Sequence, residues 1–203
     1  MYRTVSRGSF YGTRSVKAST PIYRRNFISL PFSNEQEQSH KVSKLISAKE
    51  SVIFDVISDV QSYKQFIPFL EDSFVTERDG NGYASEAGLQ VGWKQYDERF
   101  VCKLTCTPHQ SVIAESITTS VFDSLYTEWR LTPVKSRITH SGDLTNCELT
   151  LKYKFKNPLY NTVSSMFADQ VTSIMIKAFE TRVRQVIFQK SSLEAKSKIA
   201  LDK

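Results

Sequence analysis

The chain has 203 residues, of which 40% are hydrophobic and 24% are charged. These proportions are typical of a globular domain and exclude a disordered or fibrous protein. The length suffices for one sizeable domain and disfavours two. No run of 18 apolar residues is present, so we expect no membrane-spanning helix. The formal net charge of +6 suggests a nucleic-acid partner only if the positive charge lies in the folded part.

The excess positive charge lies in residues 1–34, which contain six Lys and Arg and no acidic residue. The remaining chain carries 21 basic and 21 acidic residues. A Ser- and Arg-rich segment without acids is typical of a mitochondrial transit peptide, and Arg25 before Ile28 resembles a matrix-protease site. A basic arm that binds anionic lipid or RNA is the alternative. Because the rest is formally neutral, counterion release provides little affinity, and we expect no nucleic-acid partner.

The three cysteines indicate a reducing compartment. Cys102, Cys106 and Cys147 are odd in number and form no C-x-x-C pair. In an extended strand the first two lie ~13 Å apart, too far for a disulfide. The three histidines are far apart and lack metal-ligand spacing, so we expect no metal site.

The first elements are a strand and two short helices. A weak strand pattern runs from His40 to Ile46, and Ser47-Ala-Lys-Glu50 then predicts a capping box that starts a helix. Apolar residues at positions 52, 53, 56, 57 and 60 follow helical spacing. Asp59 is expected to cap a second helix, which Pro68 ends because proline lacks the N–H that a helix needs.

From about residue 71 to residue 156 the apolar residues alternate with a period of two. Asp79-Gly-Asn-Gly82 predicts a hairpin turn, since these residues tolerate positive φ. The buried parity switches between Trp93 and Tyr96, which predicts a bulge or tight turn near Gly92. Polar residues 135–146 read as a loop before a last strand from Cys147. Alternation throughout predicts an antiparallel sheet with one buried face.

A long helix is predicted from about 159 to 189, without Gly or Pro and ~45 Å long. Its apolar row is expected to face the sheet: Val163, Phe167, Val171, Ile174 and Ala178. The polar residues 190–203 are expected to form a frayed tail. We therefore predict an α+β helix-grip fold, in which a curved antiparallel sheet of six to seven strands wraps around the C-terminal helix. Residues 35–189 form this domain, after a transit peptide and linker at 1–34.

The sequence contains no motif typical of a catalytic site. G-x-S-x-G, the P-loop, G-x-G-x-x-G, H-E-x-x-H and paired carboxylates are all absent. The large apolar faces of the predicted strands and helix favour an apolar pocket over a catalytic cleft. We expect no catalytic residue, no metal and no catalytic cofactor.

Three stretches resemble a known family: Phe66-Ile-Pro-Phe69, Ala87-Gly-Leu-Gln-Val-Gly-Trp-Lys-Gln-Tyr-Asp-Glu98 and Phe155-Lys-Asn-Pro-Leu-Tyr-Asn-Thr-Val-Ser164. In this order they resemble the mitochondrial coenzyme Q-binding proteins of fungal type, in the START/polyketide-cyclase-like superfamily. The resemblance covers about residues 40–189. It implies a lipid-binding cavity, no catalysis, and a role in respiration and coenzyme Q biosynthesis.

The resemblance also implies partners. These are coenzyme Q, or another polyprenyl quinone, as bound ligand, and the matrix side of the mitochondrial inner membrane. Coenzyme Q biosynthetic or respiratory complexes are further candidates. Other superfamily members are cyclases or dehydratases, and bacterial relatives are ribosome-associated factors. A cavity enzyme and a ribosome-associated protein therefore stay open as alternatives.

Strand parity, helix spacing and the resemblance together select the residues expected to line the cavity, with core packing as the alternative for each. They are Phe66, Pro68, Leu89, Val91, Trp93, Tyr96, Glu98, Phe100, Trp129, Tyr153, Val163, Phe167, Val171 and Ile174. Glu98 stands at an apolar position, where a carboxylate is costly unless it is paired or wet. It is either a polar handle for the quinone head or one half of a salt bridge to a Lys or Arg of a neighbouring strand, unless a misplaced bulge puts it on the other face.

A basic corner follows the last strand. Lys156 and Tyr160 are expected to dock the protein on anionic inner-membrane lipid, where each surface Lys is worth ~1 kcal/mol. For Lys152 and Lys154 on the same strand, a solvated sheet face is the preferred interpretation.

Overall fold

A computed structural model describes residues 37–93, 96–118, 120–134 and 143–201. For Trp93, Tyr96 and residues 158–159, 161–168, 195 and 198–201 it describes the backbone alone. Contacts divide the chain into residues 1–30 and 31–203, and every described residue belongs to the second unit. The predicted transit peptide and linker at 1–34 lie outside the described residues.

Seven strands of the described chain form one antiparallel sheet in the order β1-β7-β6-β5-β4-β3-β2. The strands are β1 (Gln38–Ile46), β2 (Leu70–Arg78), β3 (Ala84–Trp93), β4 (Tyr96–Thr107), β5 (Ser111–Ser116), β6 (Phe122–Pro133) and β7 (Thr145–Phe155). Helix α1 (Glu50–Ser58) and a 3₁₀ helix (Val60–Gln65) connect β1 to β2 at the opposite edge, and α2 (Pro158–Leu201) follows β7. The predicted helix-grip arrangement is confirmed.

The two predicted turns between β2, β3 and β4 are confirmed. In the first, the Asp79 N–H donates to the Tyr83 carbonyl at 2.8 Å, and the Asp79 carboxylate accepts from the Asn81 N–H at 2.9 Å. Gly82 has φ +85°, which glycine adopts without strain. In the second, Trp93 pairs with Tyr96, so only two residues connect β3 to β4. This tight connection explains the switch in parity.

The predicted start of α1 is wrong. The helix begins at Glu50 after Lys49, which makes no side-chain capping bond, and Ser47 is exposed. The preceding backbone is held from outside the helix, because the buried Thr145 hydroxyl donates to the Ala48 carbonyl at 2.8 Å. The second predicted helix is a 3₁₀ helix that ends at Gln65.

Helix α2 differs from its prediction at its end and in its buried face. It continues to Leu201 instead of ending near residue 189 with a frayed tail, because residues 190–201 are good helix formers without Gly or Pro. Val171 and Ile174 were predicted to face the sheet, but they are 47% and 41% exposed. Among the side chains of α2 that the structure describes, the buried ones are Thr172, Ile176, Phe179, Glu180 and Val183. No helix of the described residues is long and apolar enough to cross a membrane.

The packed core lies between α1, the sheet and the middle of α2. Its most deeply buried side chains include Ile53, Phe54, Ile57, Leu149, Phe179 and Val183. The burial of such apolar side chains is the main source of folding stability, and it contributes about 25 cal/mol per Å² of apolar surface removed from water. This core holds α2 against one part of the sheet.

Candidate functional site

One group of predicted lining residues belongs to the packed core. The Trp129 ring faces α2, as its parity predicts, and lies 4.7 Å from the Phe179 ring centroid. Phe66 also contacts Phe179, at 5.1 Å in an edge-to-face arrangement. Trp129 is only 4% exposed, so its ring is already covered by the protein's own side chains. Core packing is therefore the role that its contacts support.

A second group forms a continuous row of aromatic rings on the helix side of the sheet. We define the aromatic row as Phe100 of β4, Phe122 of β6, and Tyr153 and Phe155 of β7. Successive ring centroids lie 5.3 Å apart for Phe100 and Phe122, 4.6 Å for Phe122 and Phe155, and 5.4 Å for Phe155 and Tyr153. These distances are typical of favourable aromatic pairs. Phe100, Phe122 and Tyr153 are buried in this structure and Phe155 is partly exposed, so the row is an apolar layer that is open mainly at Phe155.

Phe122 enters the row through an irregularity in strand pairing. It pairs with Phe155, and a register shift separates it from Ser124. Without that shift, strict alternation along β6 would place position 122 on the face opposite Leu125 and Trp129. The sequence prediction followed alternation and therefore missed Phe122, whereas Phe100 and Tyr153 were predicted.

The predicted residues of β3 and β4 continue the surface beyond Phe100. Leu89 pairs with Phe100 and Val91 pairs with Glu98, so all four share the helix side of the sheet. Leu89, Val91 and Glu98 are each partly exposed. Among the described residues, Glu98 has no hydrogen-bond or ion-pair partner, so the salt bridge considered for it is not formed there.

A polar cluster lies at the other end of the aromatic row, on the edge strand β1. The Tyr153 hydroxyl donates to Gln38 Oε1 at 2.8 Å, and the His40 ring stacks on Tyr153 with centroids 6.0 Å apart. His40 Nδ1 lies 3.1 Å from Asp169 Oδ1 on α2. Sequence reasoning missed this cluster, although the even positions of β1 share the parity of the buried Ile46.

A surface groove of about 370 Å³ lies between the 3₁₀ helix and α2. Three predicted lining residues meet in it: Phe66, Pro68 and Ile174. Lys177 and Arg182 add cationic groups to the same groove. The groove thus combines apolar walls with positive charge.

The basic corner divides into residues with different surroundings. Lys152 lies 5.6 Å from the Tyr126 ring centroid and Lys154 lies 3.6 Å from Asp123, as expected for a solvated sheet face. Lys156 is exposed immediately after β7. The Tyr160 ring lies 5.8 Å from Phe155, so Tyr160 extends the aromatic row instead of pointing fully into solvent. The side chains of four further predicted residues, Trp93, Tyr96, Val163 and Phe167, lie outside the described residues.

Gly88, in the second motif, has a packing role. A Cβ atom at Gly88 would overlap the Phe74 ring on the outer face, and the Arg99 guanidinium covers that ring at 4.1 Å. Gly88 is therefore needed for close packing between β2 and β3.

The three cysteines are free thiols. Burial raises the pKa of Cys102 and of Cys147 to about 12, and burial together with the nearby Asp79 raises the pKa of Cys106 to about 11. They are therefore protonated near neutral pH and poor nucleophiles. Among the described residues, no group of three potential ligands is placed to hold a metal ion.

The seven-stranded antiparallel sheet with one long C-terminal helix defines the helix-grip class of START-like proteins. A START superfamily protein from Mycobacterium smegmatis has the same fold, with a TM-score of 0.63 at 18% identity over 73% of this chain and 98% of its own. The family model described as "Polyketide cyclase / dehydrase and lipid transport" matches residues 46–180.

Relatives of higher identity narrow the assignment. The mitochondrial coenzyme Q-binding protein COQ10 of Eremothecium gossypii is 40% identical over 189 residues, which cover 90% of each chain. The protein of the same name from Saccharomyces cerevisiae is 39% identical over 84% of this chain and 86% of its own. The chain belongs to the polyketide cyclase/dehydrase and lipid transport family, and within it to the coenzyme Q-binding proteins.

Proposed function

We propose that this protein binds coenzyme Q and shelters its quinone head on the helix side of the sheet. The observation that carries the proposal is the partly exposed apolar surface of Leu89, Val91 and Phe155, which is continuous with the buried rings of the aromatic row. A quinone is flat and apolar on both faces, so it gains from stacking on aromatic rings. The names of the relatives from E. gossypii and S. cerevisiae support this choice of ligand.

The isoprenoid tail needs a separate apolar path. Each five-carbon isoprene exposed to water costs roughly 4 kcal/mol, at ~0.8 kcal/mol per carbon group. The groove lined by Phe66, Pro68 and Ile174 has a volume of about 370 Å³, enough for a few isoprenes but not for a long tail. The remaining tail stays in the membrane while the protein docks on its surface.

The protein acts as a chaperone or carrier and not as an enzyme. Acid–base catalysis needs two groups positioned at the same reacting atoms. Glu98 on β4 and His40 on β1 both lie on the helix side, but three strands separate β1 from β4 in the sheet order. This separation supports ligand binding without conversion. The coenzyme Q is a bound ligand and not a catalytic cofactor.

The cellular site is the matrix side of the mitochondrial inner membrane. The acid-free composition of residues 1–34 supports a transit peptide, and the relatives are named as mitochondrial proteins. Residues 35–189 then form the mature binding domain. Its role is to support respiratory electron transport and coenzyme Q biosynthesis, with biosynthetic or respiratory complexes as candidate partners.

The test is to purify the chain from mitochondria in a mild detergent and identify the bound lipid by mass spectrometry. Val91→Trp places a large side chain on the proposed surface without removing core packing, and should lower the recovered coenzyme Q at least fivefold. Thr105→Trp, on the exposed outer face of β4, is the matched control and should leave it unchanged. Wild-type protein without quinone would overturn the proposal, and copurifying ribosomes would then favour the ribosome-associated alternative.

A further inference from the structure

His40 carries an unsatisfied buried nitrogen next to the aromatic row. Its Nδ1 lies 3.1 Å from Asp169 Oδ1, and its ring stacks on Tyr153. Its Nε2 atom is buried and has no hydrogen-bond partner. Most buried polar side-chain atoms in native proteins have a partner, because leaving one unpaired loses its bonds to water. The vacant bonding position therefore points to a ligand group.

The contact with Asp169, whose side chain is 95% exposed, favours one tautomer of His40 and so the kind of group that His40 can bind. A carboxylate only accepts hydrogen bonds, so Nδ1 carries the proton that it donates to Asp169. In neutral imidazole the other nitrogen then carries a lone pair and can only accept. The buried Nε2 thus needs a donor such as a hydroxyl group.

We infer that His40 makes the site selective for the reduced, hydroxyl-bearing form of the ligand, and this inference rests on the proposed binding of coenzyme Q. The hydroxyl groups of a quinol can donate to Nε2, whereas the carbonyl groups of a quinone only accept. An oxidised head therefore leaves two acceptors facing each other. Sites built for a hydroxyl reject analogues without it, because their polar groups stay unpaired.

The test compares the affinities of the full chain for a ubiquinol and a ubiquinone that each carry one isoprene. Calorimetric titrations of both ligands are run without oxygen and at the same pH. We expect wild-type protein to bind the reduced form about tenfold more tightly. His40→Phe keeps a ring against Tyr153 but lacks the acceptor, so it should weaken quinol binding about tenfold and should not weaken quinone binding.

Two further variants separate this role from a structural one. Asp169→Ala removes the acceptor that holds the proton on Nδ1, so the proton can also reside on Nε2, which then donates. The preference for quinol should therefore fall, and the melting temperature should stay unchanged. His40→Gln restores an acceptor and should regain part of the preference. Glu194→Ala, an exposed carboxylate on the same helix, is the control and should change neither affinity.

The outcomes distinguish this inference from the proposed function. Equal affinities of the wild-type protein for both forms, as expected if Nε2 binds only a water molecule, would overturn the inference and leave coenzyme Q binding intact. Equal weakening of both forms by His40→Phe would overturn it as well. Failure of the wild-type protein to bind either form would overturn the proposed function itself.

Discussion

Lys44 of β1 and Glu180 of α2 form an ion pair between the edge strand and the helix. Glu180 is only 8% exposed and also pairs with Arg184, one turn further along α2. The carboxylate thus joins the edge of the sheet to the middle of the helix, close to the packed Phe179 and Val183. The aromatic row lies elsewhere, beside Tyr160 in the first turn of α2.

Removing this carboxylate should destabilise the fold. Glu180→Gln leaves Lys44 and Arg184 without their charged partner, although both can still reach water. We expect a loss of ~2 kcal/mol, below the full cost of an unpaired buried charge. Urea denaturation measures this loss in the free energy of unfolding. Glu194→Gln changes an exposed residue and is the control, and its free energy of unfolding should lie within ~0.5 kcal/mol of wild type. Equal stability of the two variants would show that the ion pair contributes nothing.

Gly88→Ala should also destabilise the sheet. The added methyl group overlaps the Phe74 ring, and overpacking of this kind costs about 1–3 kcal/mol. Gly80→Ala is the control, since nothing lies within 4 Å of a Cβ there. In a Phe74→Ala background the cost of Gly88→Ala should largely disappear, which a thermal double-mutant cycle measures. An unchanged cost in that background would contradict the assigned packing role.

The cysteines should react slowly with iodoacetamide at about pH 8. Burial raises the pKa of Cys102 and Cys147 to about 12, so at this pH almost none of either thiol is the reactive thiolate. Cys106, with a pKa of about 11 and partial exposure, should react first. Mass spectrometry of the labelled peptides gives the order, and urea-unfolded chain provides the fast reference. Faster labelling of Cys147 than of Cys106 in the native protein would contradict the burial described here.

Glu98 tests the polar-handle interpretation. If its carboxylate binds the quinone head through a bridging water, which donates to both, Glu98→Ala should weaken ubiquinone binding about fivefold, close to the ~1 kcal/mol of one net hydrogen bond. Glu98→Gln should lose less, because the amide can still bind the bridging water and its NH2 group can also donate to the quinone carbonyl. Asp97→Asn, on the exposed outer face where Asp97 accepts from Gln90 at 2.8 Å, is the control in the same titration. Unchanged binding and stability in both Glu98 variants would exclude the handle.

Lys156 tests membrane docking through the basic corner. Lys156→Asp changes the local charge by two units, which should cost ~2 kcal/mol of attraction to anionic lipid. Flotation with liposomes rich in anionic lipid should then recover at least tenfold less protein. Lys152→Asp reverses a charge on the outer sheet face, beside Tyr126, and should have the smaller effect. Similar losses in both variants would indicate general electrostatic attraction instead of a defined corner.

The local features of this protein could be predicted from its sequence. Strand alternation, the Asp79–Gly82 turn and the tight β3–β4 connection depend on neighbouring residues, whose preferences act over a few positions. The same alternation placed Leu89, Val91, Glu98 and Phe100 on the helix side of the sheet, where the structure has them. The order and spacing of these elements were enough to predict the helix-grip fold.

Only the tertiary structure decided which surfaces meet. Helix α2 has apolar residues on more than one side, and packing of Phe179 against Trp129 buries one side and leaves Val171 and Ile174 half-exposed. Other features also depend on residues far apart in the chain. They are the pairing of Phe122 with Phe155, the Lys44–Glu180 ion pair, and the contacts of His40 with Tyr153 and Asp169. Periodicity carries no information about such distant partners. It shows which face of a segment is buried, but not which other segment packs against that face.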